Sequence, residues 1–157
     1  MPQKLIDSFA GNYGFLSNFH PCVIAHQGMK FPTSEHAFQW SKTPDPQERH
    51  RVLWTDAGIP TTPGQSKQRG RRVTLRPEWE AVKVQVMTEI LLAKFTQHTP
   101  LLEKLFLTED ACLVEGNLWH DRYWGVCYCT RCKRQGENML GQILMQVRTE
   151  LAALSEI

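Results

Sequence analysis

The sequence has no apolar run approaching the ~18 residues that a membrane span requires. Its first residues, Met1-Pro2-Gln3-Lys4-Leu5-Ile6-Asp7, lack the long apolar core of a secretory leader. Neither sign of charge is in large excess: 18 Lys and Arg face 16 Asp and Glu, for a net +2. Total charge therefore does not mark a nucleic-acid binder. There is no internal repeat, low-complexity tract or long linker. The 5 cysteines are an odd set without a leader, which excludes a secreted disulfide framework and predicts a reducing, cytoplasmic setting. Rossmann and P-loop signatures are also missing. Gly136-Glu137-Asn138-Met139-Leu140-Gly141 lacks their spacing and the Lys-Ser/Thr pair, and ordinary helix capping explains it.

What is present is an ordinary globular composition, 41% hydrophobic and 22% charged over 157 residues. That length predicts one domain able to bury a core without disulfides or metal. Cys22 to Phe31 reads as a hairpin turning at Gly28. Thr33 or Ser34 caps a helix to about Lys42, and a second helix runs from Pro46 to Asp56. Residues 57–70, rich in Gly and Pro, read as loop. Pro77 opens the longest helix, to Gln97, on a stripe containing Trp79, Val86, Ile90 and Phe95. Thr99-Pro100 starts a short helix through Phe106. Ala111 to Val114 reads as a strand and 115–137 as a polar, aromatic loop. Asn138 caps a last helix whose face is Met139, Leu140, Ile143, Leu144, Val147, Leu151 and Leu154. The expected fold is α+β, a single mainly helical domain with short strands.

Several segments carry more chemistry than packing requires. Gly11 to Phe19 mixes glycines with large rings, as in a backbone that approaches a ligand or in a tight turn plugged by aromatics. Glu35, Gln39 and Lys42 stand at i, i+4 and i+7, so they share one helix face. A solvated face is the plain reading. The chemical one is that Phe38 and Trp40 create an apolar setting that raises a carboxylate pKa and lowers a lysine's. Glu115 to Gly125 packs carboxylates, indoles, a histidine and an arginine into one loop. Lys67, Arg69, Arg71, Arg72 and Arg76 form a basic run, and Arg131, Lys133 and Arg134 a second cluster; each reads as a phosphate contact or as solvated surface. Cys127-x-Cys129-x-x-Cys132 would hold zinc if His120, Cys112 or Cys22 supplied a fourth ligand. No second spaced pair exists, so reduced thiols in a turn are the expectation, with no metal and no cofactor. A redox role for Cys129-x-x-Cys132 lacks the βαβ context.

These pieces together resemble the NADAR family. The resemblance rests on Tyr13-Gly14-Phe15-Leu16-Ser17-Asn18-Phe19 and on Ser34-Glu35-His36-Ala37-Phe38-Gln39 with Lys42. It continues in Gly70-Arg71-Arg72-Val73 and in Glu115-Gly116-Asn117 with Asp121 and Trp124-Gly125. Last come Gly136-x-Asn138-x-x-Gly141 and Leu144-Met145-x-Val147-Arg148. The segments run in order over about residues 8–152. The resemblance implies an α+β N-glycosidase-like domain acting on ADP-ribose or phosphoribosyl compounds. One family activity removes ADP-ribose from guanine in nucleic acid, reversing an ADP-ribosyltransferase toxin. The other cleaves phosphoribosylamino intermediates of riboflavin synthesis.

On this footing Glu35 and Asp121 are the expected acids, by the logic of paired carboxylates. Lys42, if neutral, would attack C1 of a ring-opened imine. Arg71, Arg72 and Arg148 are the expected phosphate ligands. Phe19, Trp119 or Trp124 would stack on the base, and Asn18 and Asn138 would bond ribose or phosphate. Gln39 and Gly125 complete the expected substrate site. The expected partner is ADP-ribosylated nucleic acid, single-stranded DNA first, or an ADP-ribosyl nucleotide, with no membrane. A module that binds ADP-ribose without turnover is the non-enzymatic alternative.

Overall fold

A computed structural model describes residues 1–156. The chain forms two compact units, one of Asn18–Gln97 and the other of Met1–Ser17 with the chain from His98 onward.

The Asn18–Gln97 unit is built on a buried polar helix. Strands β1, Leu5–Ile6, and β4, Cys112–Leu113, belong to the other unit; here β2, Ile24–His26, pairs antiparallel with β3, Met29–Phe31. Gln27 and Gly28, both at positive φ, make the two-residue turn that suits a twisted hairpin. Helix α1, Ser34–Ser41, follows, with the Thr33 hydroxyl accepting the His36 N–H. All eight of its residues are buried. Phe31 meets Trp40 edge-on at 5.3 Å, and Phe38 lies 5.2 Å from Trp79. Helix α2, Pro46–Leu53, is capped by Asp45, which accepts the Gln47 and Glu48 N–H groups. It stops three residues before the expected Asp56.

Helix α3, Pro63–Gly70, lies where the sequence reads as loop. Its start is a capping box: Thr62 accepts the Gln65 N–H while the Gln65 side chain accepts the Thr62 N–H. Pro63 occupies the first turn, where no N–H is needed. The glycines and prolines of 57–70 mark the ends of a helix as well as a loop. Helix α4, Trp79–Gln97, begins two residues after Pro77 and buries the expected Trp79, Val86, Ile90 and Phe95.

In the other unit β1 runs parallel to β4. A 3-10 helix spans Gly11–Leu16. Helix α5, Thr99–Phe106, buries Leu101 and Leu105. Within the expected loop, β5, Gly116–Asn117, pairs in parallel with β6, Val126–Cys127. Helix α6, Met139–Ser155, buries Leu140, Ile143, Leu144, Val147 and Leu151. Leu154, expected on that face, is 67% exposed. No helix among the described residues is long and apolar enough to cross a membrane.

His36 fixes α1 from inside. Its Nε2–H donates to the Thr61 carbonyl at 2.7 Å, and Nδ1 accepts from the Thr33 hydroxyl at 2.7 Å. Those roles describe the neutral ring, and burial holds its pKa below the usual 6.5. An unfolded chain binds this proton at higher pH than the native one, so stability falls as pH drops below 6.5. His26, also held low by burial, adds to the same acid limb. We expect His36→Gln, whose amide can still donate to Thr61, to show a shallower loss of unfolding free energy on acidification. An unchanged limb, read by denaturant titration across the pH range, contradicts this role.

Candidate active site

In the Asn18–Gln97 unit the shared face of α1 is enclosed. Glu35 is 6% and Gln39 2% exposed, so the solvated-face reading does not hold. Gln39 Nε2 donates to Glu35 Oε1 at 2.6 Å, across one turn. Gln39 Oε1 is buried without a hydrogen-bond partner, as is Oδ1 of Asn18, itself 7% exposed. A buried acceptor left unmet carries a desolvation penalty that a donor from a ligand would remove. The Asn18 carbonyl accepts the Glu35 N–H at 3.0 Å, which ties the first residue of this unit to the start of α1. Gly70 presses on this pair, because a Cβ there would coincide with Gln39 Oε1. Only glycine lets the end of α3 approach so closely.

Lys42 closes α1. Its carbonyl accepts the Arg76 N–H at 2.8 Å, and its Nζ lies 5.5 Å from the Phe38 ring centroid. Burial lowers its pKa most. Glu35 acts in the opposite direction, and Lys67, Arg71 and Lys83 lower it further. Lys67 Nζ stands 5.9 Å from the ring centroid of Phe19, a residue 41% exposed. A buried carboxylate and amide, an amine made less basic, other cations and an accessible ring therefore gather on one unit. Lys67 and Lys83 were not singled out in the sequence as neighbours of Lys42; only the fold brings them to it.

The basic run does not act as one patch. Arg69 donates to the Arg51 and Trp54 carbonyls, each at 2.8 Å, and so closes the end of α2. Arg76 pairs with Glu78 at 2.6 Å. Arg72 lines a cleft with Arg51 and Arg69 that also contains Glu48 and Asp56. Glu48 accepts from the Thr43 hydroxyl at 2.6 Å and from the Thr74 N–H, which fastens the segment after α3 to α2.

In the other unit the aromatic loop is folded around amides. Asn117, 4% exposed, donates through Nδ2 to the Asp121 and Val126 carbonyls and accepts the Trp119 and Asp121 N–H groups. Asp121 Oδ1 accepts the Tyr123 and Trp124 N–H groups at 3.1 and 3.0 Å. Gly125 packs where a Cβ would coincide with the Glu115 carbonyl, so its place is explained by close packing. Trp119 is 60% exposed. Tyr123 meets Trp124 edge-on at 4.9 Å.

Asn138 does not cap α6 with its side chain. It adopts φ 55°, a left-handed conformation that asparagine tolerates. Its Oδ1 accepts the Glu115 N–H, and its Nδ2 donates to the Leu113 carbonyl. The first N–H groups of α6, those of Met139 and Leu140, donate to the Tyr123 and Trp124 carbonyls. These bonds fix the loop to α6 and use the donors that a phosphate would need. Arg148 is likewise occupied, donating to the Thr108 hydroxyl at 2.7 Å and the Ala111 carbonyl at 3.0 Å.

The NADAR domain model matches residues 7–152. N-glycosidase YbiA of Escherichia coli is 38% identical over 145 residues, covering 92% of this chain and 86% of that protein. A riboflavin biosynthesis protein of Vibrio vulnificus is 38% identical over 141 residues, 89% of this chain but 36% of that protein. The NMR structure of Escherichia coli YbiA superposes with a TM-score of 0.78 at 37% identity, over 99% of this chain and 89% of that one.

The depressed basicity of Lys42 has a measurable sign. Its unfolded form holds a proton up to about the ordinary 10.5, and its native form loses it earlier. Native stability therefore rises with pH through that interval. Lys42→Met removes the effect. We expect the variant to be the more stable at neutral pH and the difference to shrink as pH climbs toward 10.5. A difference independent of pH contradicts a desolvated amine.

Proposed function

The chain belongs to the NADAR domain family, and on that premise we propose that it is an N-glycosidase acting on a phosphate-bearing ribosylamine. The observation that carries this reading is the buried Glu35–Gln39 pair beside Lys42, set among Lys67, Arg71 and Lys83. Cations around a polar, enclosed site favour a substrate that brings phosphate.

Breaking a ribose C1–N bond requires a proton for the leaving nitrogen and relief of positive charge at C1. In the proposed mechanism Glu35 donates that proton, and Gln39 holds the carboxyl in place. Water adds to C1 and returns one proton to the Glu35 carboxylate, yielding a free sugar hydroxyl and the amine of the base. Lys42 offers a second route. The aminal opens to an imine, the neutral amine of Lys42 adds to C1, and the base amine departs with a proton. Water then hydrolyses the lysine imine. Arg71 serves as a phosphate ligand, and the Phe19 ring as the stacking surface for the base. Asp121 is proposed as a further acid, and Trp119 as an alternative stacking ring.

Two substrates fit this chemistry. The first is guanine carrying ADP-ribose, in single-stranded DNA or as a nucleotide; an ADP-ribosyltransferase toxin would then be the functional opponent. The second is a phosphoribosylamino intermediate of riboflavin synthesis, favoured by the name of the Vibrio vulnificus relative. Cleavage of the oligonucleotide falling steeply with salt supports the polymer. Preference for the small intermediate supports the metabolite, and tight ADP-ribose binding without turnover contradicts both.

Glu35→Gln keeps an acceptor for Gln39, and Asp121→Asn keeps one for the Tyr123 and Trp124 N–H groups. Each variant therefore tests charge rather than folding. We expect Glu35→Gln to lose about a hundredfold or more in kcat, as removal of a general acid does. Borohydride should trap a covalent adduct on the wild type and none on Lys42→Ala if the imine route operates. Activity near wild type in Glu35→Gln, Asp121→Asn and Lys42→Ala together contradicts the proposed site.

A further inference from the structure

The aromatic loop contains a second constellation that the glycosidase chemistry does not use. His120, Cys127, Cys129 and Cys132 bring four donor atoms within 4.8 Å of one another. His120 Nδ1 lies 3.3 Å from Cys132 Sγ, 3.4 Å from Cys129 Sγ and 3.9 Å from Cys127 Sγ. A regular tetrahedron with Zn–S of about 2.3 Å and Zn–N of about 2.0–2.1 Å has N···S edges of about 3.5–3.6 Å. The observed edges bracket that value. We propose that these four residues bind one zinc ion in a closed structural site.

Further observations support the assignment. The ligand set is three thiols and one imidazole, the donors that select zinc over the hard oxygen-seeking cations. All four positions come from protein, which leaves no open place for water or substrate and makes the ion a staple rather than a catalyst. The Cys132 N–H donates to Cys129 Sγ at 3.3 Å, which fixes that sulfur in the turn. The charges are also complementary. Three thiolates and a divalent ion leave one net negative charge, and Arg131, Lys133 and Arg134 lie within two residues of the ligands. The thiol protons pass to water on binding.

The backbone shows what the ion would hold. His120, Lys133 and Arg134 adopt φ of 69°, 52° and 60°, conformations costly to side chains with a Cβ. Cys127 and Cys132 are buried, yet regular structure in this loop amounts to the paired residues of β5 and β6 and one bridge between Cys127 and Gln135. Zinc would fix His120 between Trp119 and Asp121, so any effect on catalysis rests on the function proposed above. The binding itself does not.

The test uses the full chain without an affinity tag, reduced, reconstituted with excess zinc chloride and desalted. We expect one zinc per chain by elemental analysis. Cobalt chloride in place of zinc should give the visible bands of a tetrahedral ion and a thiolate-to-cobalt charge-transfer band. Cys129→Ser and His120→Ala should each lose the zinc or the tetrahedral spectrum. Should a variant fail to fold, the wild type still decides: three thiols should react slowly with a thiol reagent when zinc is present and fast after chelation. Protein that retains no zinc, or whose thiols react equally fast with and without it, overturns the proposal. A Cys129–Cys132 disulfide that persists through mild reduction, or bound iron in place of zinc, overturns it too. None of these readouts depends on turnover, so a silent glycosidase assay leaves the zinc result standing, and the reverse.

Discussion

A carboxylate withdrawn from water needs something to hold it, and here the partner is one turn away on the same helix. Glu35 and Gln39 share a hydrogen bond inside α1, a helix buried along its whole length. Polar groups in such a place are costly unless paired. Much of the Asn18–Gln97 unit is arranged around them: Thr33 and His36 secure the helix start, Gly70 presses on Gln39, and Phe38 lies against Trp79. Lys42 sits at the end of this helix, where burial makes its amine a weaker base. The same desolvation that destabilises a charged lysine raises the share of free amine available as a nucleophile.

The aromatic loop uses a different device. It has little regular structure, and its shape comes from two asparagines. Asn117 satisfies four backbone groups of the loop and its flanking strand, and Asn138 joins Glu115 and Leu113 to the entry of α6. Each such bond contributes about 1 kcal/mol net, and an unmet buried group costs more. Rigid placement of Trp119 and Asp121 follows from those amides. A metal staple at the neighbouring thiols would act in the same direction.

Local signals were legible in the sequence, and long-range ones were not. A cap at Thr33 or Ser34, the hairpin at Gly28, the stripe of α4 and the shared face of Glu35, Gln39 and Lys42 follow from spacing and residue type. Helix α3 escaped because its glycines and prolines read as loop, although Thr62 and Gln65 form a recognisable capping box. Asn138 and Arg148 stand out in the sequence, but their partners lie 23 to 40 residues away, and no local pattern names them. The three clustered cysteines announce themselves. Choosing His120 over Cys112 or Cys22 as their companion takes the fold.

Cleavage of a ribose C1–N bond by this chain is open to direct measurement. The most direct measurement incubates the pure wild-type protein with ADP-ribosylated guanosine and, separately, with a phosphoribosylamino intermediate, following sugar and base by chromatography. One of the two should yield free reducing sugar and intact base in equal amounts, over many turnovers. Both substrates recovered whole, or a cut at phosphate rather than at C1, would contradict that cleavage.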